Sequence, residues 1–158
     1  MIRKLVLFGW LALLALVVAG GSGYSVVSGS DEISTHLLAA LLAFGGLGLV
    51  FLCTAFYLLA MGRLIRNVTL EQGLADRWSR DHHPLVLGGV RWSMVGFASI
   101  LAATLTGYPT HVGHWRAVPH HVLFYGTIAL SVLALWRLRA IVTREEHLVR
   151  ELDSTLEA

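Results

Sequence analysis

The stretch from Thr110 to Tyr125, THVGHWRAVPHHVLFY, carries His111, His114, His120 and His121. One more histidine, His36, opens an earlier apolar run, and His82, His83 and His147 stand elsewhere. A neutral imidazole offers a nitrogen lone pair near physiological pH, so it can ligate a metal or a haem iron, or pass a proton. Two chemistries suit the spacing. Two imidazoles from different helices at one depth can clamp a single b-type haem, with apolar helix faces holding the ring. Alternatively, HxxH followed by HH supplies enough nitrogens for copper or zinc. No acidic residue lies between Thr110 and Tyr125, so a hydrolytic zinc site would lack its usual base, and copper binding or transfer is the more natural loop chemistry.

The elements that must position these residues are membrane spans. The chain has 158 residues, 56% hydrophobic and only 14% charged. A soluble domain carries about 25% charged residues, so the composition is that of an integral membrane protein. The net charge of +2 gives nucleic-acid binding no support. The single cysteine, Cys53, excludes an intrachain disulfide and any CxxCH haem attachment. It reads as a small buried apolar residue.

Four spans are expected, at about 4–27, 36–61, 85–108 and 120–142. Arg3 and Lys4 before a short apolar run resemble the start of a signal peptide, but the run reads as the first span. From His36 to Met61 no residue is charged. Ala39, Ala43 and Gly46 in the second span, and Gly89, Ser93, Gly96, Ala103 and Gly107 in the third, form small-residue stripes suited to close helix contact. Between these spans, Thr69-Leu70-Glu71-Gln72 has capping-box spacing, and Leu70, Leu74 and Trp78 recur every four residues. A short interfacial helix is expected there, broken at Asp81-His82-His83-Pro84. Pro119 suits the first turn of the fourth span. Apolar spacing then continues through Ile141, Leu148, Leu152 and Leu156, predicting an amphipathic helical tail over 143–158. The fold class is therefore all-α: an integral membrane four-helix up-down bundle with an interfacial helix and a cytoplasmic helical tail.

Of the chain's 12 lysines and arginines, all but Arg116 fall on one side of a four-span topology. The positive-inside rule then makes both termini cytoplasmic and, in a bacterium, the opposite face periplasmic. His36, His111, His114, His120 and His121 stand at the outer face. His36 and the pair His120-His121 begin helices that run in the same direction, so they share a depth.

The architecture is similar to the four-helix b-type cytochrome anchors of respiratory enzymes, a similarity carried by the span count and by His36 with His120 and His121. It implies a small subunit of a respiratory or photosynthetic electron-transfer complex in the cell inner membrane. Such a subunit holds one haem b, is not catalytic on its own, and has other membrane subunits, lipids and a quinone as partners. Two alternatives remain open: a cofactor-free accessory subunit whose outer loop is a docking surface, and a copper-binding protein using His111 and His114. His82 and His83 read as an interfacial turn, Tyr57 as packing and Arg91 as a snorkelling anchor. No acidic residue falls within a span, which argues against a carboxylate-based transporter.

Overall fold

The computed structural model describes residues 2–27, 33–74, 77–111 and 117–157, the side chains of 3, 24–27, 33–34, 108–111 and 117 excepted. The described residues form four helices: α1 (Ile2–Val27), α2 (Ile33–Glu71), α3 (Arg77–His111) and α4 (Ala117–Leu156). Each contains a segment long and apolar enough to cross a membrane. α1 has 26 residues, about 39 Å of helix at 1.5 Å per residue. α2, α3 and α4, with 39, 35 and 40 residues, run to about 58, 52 and 60 Å. Three helices therefore extend well past a hydrocarbon layer of ~30 Å.

The contacts run in a ring. α2 packs on α1 and α3, α3 on α4, and α4 closes on α1 through the thinnest contact. The core follows the small-residue stripes. A Cβ added at Gly96 would stand 2.5 Å from the Phe51 ring, one at Gly46 2.9 Å from Ala12 Cβ, and one at Gly20 2.5 Å from Phe124. Leu58 covers Gly89 in the same way. Phe51, Leu47, Val50, Ile100, Leu135 and Leu138 fill the interior. Phe51, Phe124 and Leu58 sit on backbone because the residue opposite each has no side chain of its own.

The expected interfacial helix is absent as a separate element. α2 runs on to Glu71 and α3 begins at Arg77. Capping-box spacing also occurs inside helices, and here Thr69 is interior: its hydroxyl donates to the Arg66 carbonyl at 2.9 Å. The true stop is Gly73, at φ 61°, with Leu74 N–H donating to Thr69 O at 3.0 Å in the 6→1 pattern of a glycine C-terminus. Trp78, expected at the surface, is buried.

Pro84 does not break α3. It lies eight residues in, on the exposed side, where water can satisfy the Arg80 carbonyl that loses its partner. The tail continues α4 without interruption and docks on the chain's own extension. Leu152 packs with Ile65 and Trp78, flanked by Leu148, Val149, Val68 and Leu74.

Gly96→Val tests the packing. Phe51 is fully buried and has nowhere to turn. The substitution should destabilise the bundle by about 1–3 kcal/mol, read as a lower thermal midpoint in detergent, with Gly45→Val, which meets nothing within 4 Å, as the neutral control.

Candidate functional site

His36 and His120 each lie in the first turn of their helix, α2 and α4. His36 is 8% exposed. Its Nδ1 stands 2.8 Å from the Ala19 carbonyl on α1. A carbonyl only accepts, so Nδ1 carries a proton, and in the neutral ring the lone pair is then at Nε2. Ser22 supports the arrangement, donating to the same carbonyl at 3.0 Å. The Cε1 edge of the ring sits on Gly23, where a Cβ would be 3.0 Å from Cε1. His120 is seated in the same manner on α3: a Cβ at Gly107 would be 3.1 Å from its Cε1, and Thr106 Oγ1 is 3.5 Å from its Nδ1.

Both histidines line one cavity of 290 Å³ between all four helices. Leu16, Phe44, Ile100 and Phe124 give it an apolar wall. Thr127 on its α4 side donates to the Ser99 carbonyl of α3 at 2.9 Å and ties the two helices beneath the histidines. Leu37, Leu41 and Thr104 line it and are also exposed, so the mouth lies between α2 and α3. The volume is at the lower edge of ligand pockets, roughly 300–1,000 Å³.

His121 does not line this cavity. It is half-buried beside His120, with ring centroids 6.2 Å apart and planes tilted by 45°. His114, and the side chain of His111, lie outside the described residues, so the loop copper set is not represented. Among the described residues no group of three or more His, Cys, Asp or Glu stands together to hold a metal ion.

A second polar cluster sits at the opposite end. His82, expected in an interfacial turn, is 2% exposed on α3, and Glu145 is 0% exposed on α4. Their Nε2 and Oε1 atoms are 3.9 Å apart. Tyr57 of α2, expected as packing, donates its hydroxyl to Glu145 Oε2 at 3.1 Å. Sequence reasoning missed this cluster because it ended the helix at Pro84. With helical register kept through the proline, Trp78, His82, Gly89, Ser93, Gly96 and Ile100 form one stripe at spacings of three, four and seven. Glu145 likewise falls in the stripe Leu138, Val142, Leu152, and those residues are buried.

Comparison with protein-family models, with curated proteins and with solved structures finds no match to this chain. The functional reading therefore rests on the residues alone.

Thr127→Val keeps the side-chain shape and removes the donor to Ser99 O. Its loss should cost about 1 kcal/mol, seen as a small fall in thermal midpoint together with faster hydrogen exchange of 117–127.

Proposed function

We propose that this chain is a multi-pass protein of the cell inner membrane, an up-down bundle with both termini cytoplasmic. Its role is that of a small electron-carrying subunit of a respiratory or photosynthetic complex, holding one b-type haem between His36 and His120 near the periplasmic face. The observation that carries the haem reading is that these two histidines, on different helices, line the same apolar cavity at one end of the bundle.

Several features support it. Anchoring Nδ1 on a carbonyl is how ligating histidines are oriented, because it directs Nε2 as donor. Glycines beneath both rings give flat side chains room between closely spaced helices. A haem bound there supplies one-electron chemistry. The protein's part is to present two neutral nitrogens, hold them in orientation, and surround them with apolar residues that keep water away. The cavity favours His120 over His121 as the partner of His36. The exterior supports insertion in lipid: Leu38, Leu41, Phe56, Leu105 and Val122 are each at least 60% exposed. The contacts of Ala19 and Gly23 with His36, and of Gly107 with His120, pair the end of one helix with the start of the next, as an up-down bundle requires.

The cofactor-free accessory reading draws on a different observation. α2, α3 and α4 project together past the start of α1, and Leu64, Leu70, Leu87 and Leu156 are exposed in or near that projection. Such a surface suits a neighbouring subunit of a larger assembly.

A dithionite-reduced minus oxidised visible spectrum of the full chain, expressed with ample haem and purified in mild detergent, separates the two. Sharp α and Soret bands are expected, lost in His36→Ala and His120→Ala and kept in His121→Ala. Gly107→Val should lower haem occupancy several-fold by displacing the His120 ring. A flat spectrum from well-folded protein would leave the accessory role.

Topology has its own test. A fluorescent protein that matures only in the cytoplasm should glow when fused after Ala158, while alkaline phosphatase at the same site should be inactive. The opposite pattern would reverse the assignment of faces.

A further inference from the structure

The inner end of the bundle holds a chemical unit that the haem reading does not use. We propose that His82, Glu145 and Tyr57 form a proton-exchange site: His82 and Glu145 share one buried proton, and Tyr57 connects it to water outside the bundle.

Burial makes the first argument. Glu145 is 0% and His82 2% exposed. Carboxylates are almost never fully buried unless paired, because an isolated charge there is too costly. The pair avoids this by staying net neutral, as carboxylic acid with neutral imidazole or as carboxylate with imidazolium. These two states hold the same number of protons and differ only in where one of them sits.

The unmade bond makes the second. Glu145 Oε1 and His82 Nε2 are both buried without a hydrogen-bond partner, and they face each other at 3.9 Å. That is about 1 Å beyond a hydrogen bond. One bridging water or a small side-chain shift closes the gap.

The surroundings make the third. Glu145 lies between two apolar seals. Ile2, Val6 and Val142 pack on one side, and Ile65, Trp78 and Leu152 on the other. Tyr57 is only half-buried, and it lines a surface recess of 310 Å³ with Glu146, Val149 and Arg150. Its hydroxyl reaches Glu145 Oε2 at 3.1 Å. Among the described residues, the facing groups are Tyr57 from α2, His82 from α3, and Glu145 with Glu146 from α4, and α1 packs nearby through Ile2 and Val6. Asp81, Arg144 and His147 line a separate recess between α3 and α4. A metal ion is the poorer occupant, since no third His, Cys, Asp or Glu among the described residues joins the pair.

Transfer needs only O–H and N–H bonds. Inward, when the pair stands as carboxylate and neutral imidazole, Tyr57 gives its phenolic proton to Glu145 Oε2 and takes a replacement from water in the recess, which leaves hydroxide there. Rotation about Cγ–Cδ turns the protonated oxygen towards His82 Nε2, and the proton crosses to give the net-neutral carboxylate and imidazolium. Outward, the same bonds break and form in reverse. No electron moves.

Histidine-selective 15N labelling of the full chain in micelles tests this. The His82 ring N–H resonance is identified by its loss in His82→Gln, and its exchange with water is measured by saturation transfer. Tyr57→Phe and Glu145→Gln should each slow that exchange at least tenfold. Mere loosening of the structure would speed it, so the sign of the change distinguishes a severed relay from a damaged fold. Either variant, read alone, decides: a rate equal to or above wild type overturns the proposal. So does a wild-type His82 N–H exchanging as fast as that of His147, which is 68% exposed.

Discussion

Large side chains seated on glycine backbone hold this bundle together, and every other feature depends on that fit. Among the described residues, the polar ties between helices include Thr127 to Ser99, His36 to Ala19, Thr106 to His120 and Tyr57 to Glu145. In lipid, apolar burial supplies little drive for helix association, because lipid tails are as apolar as leucine. Close approach and dispersion must do the work instead. Phe51 over Gly96 and Leu58 over Gly89 bring α2 and α3 together, and Leu135 with Val50 over Gly9 brings α4 and α2 to α1. The same device recurs at the other end of the bundle, where His36 sits on Gly23 and His120 on Gly107. A helix pair that can accept an imidazole edge-on over glycine can also fix its plane, which is what a ligand needs.

The two ends of the bundle carry different chemistry for a reason that lies in their donors. At one end, two imidazoles line an apolar cavity with no carboxylate among its lining residues. At the other, a carboxylate, an imidazole and a phenol converge with almost no space between them. That arrangement can exchange protons but has no room for a ring. His36 and Tyr57 lie about 32 Å apart along the axis of α2, so the two units sit at opposite faces of any bilayer the helices cross.

Much of this was legible in the residues. The four apolar runs, the small-residue stripes, the continuation of α4 into the tail, and the likeness in depth of His36 and His120 all follow from composition and periodicity. His120 could not be told from His121, because adjacent residues on a helix differ by 100° in facing and only the neighbouring helices decide which faces inward. The interfacial helix was misread because Thr69 to Gln72 has the spacing of a cap and the spacing of a helix interior at once. The decisive signal, Gly73 in the left-handed region, lay at the very next residue.

The missed cluster shows how one punctuation mark can hide a site. Ending the helix at Pro84 detached His82 from the stripe that contains Ser93 and Gly96, and it then looked like a turn residue. Glu145 was overlooked for the converse reason. It lies past the last plausible membrane residue of α4, where an acidic side chain is expected to face water. It is buried because the tail folds back on the chain's own extension, with Leu152 against Ile65 and Trp78. Burial of Glu145 is thus a product of tail docking, and docking must accommodate the carboxylate that it encloses. An apolar residue at 145 would pack there without needing His82 or Tyr57. The presence of all three, one from each of the extended helices, makes this end of the bundle a chemical unit as well as a structural one.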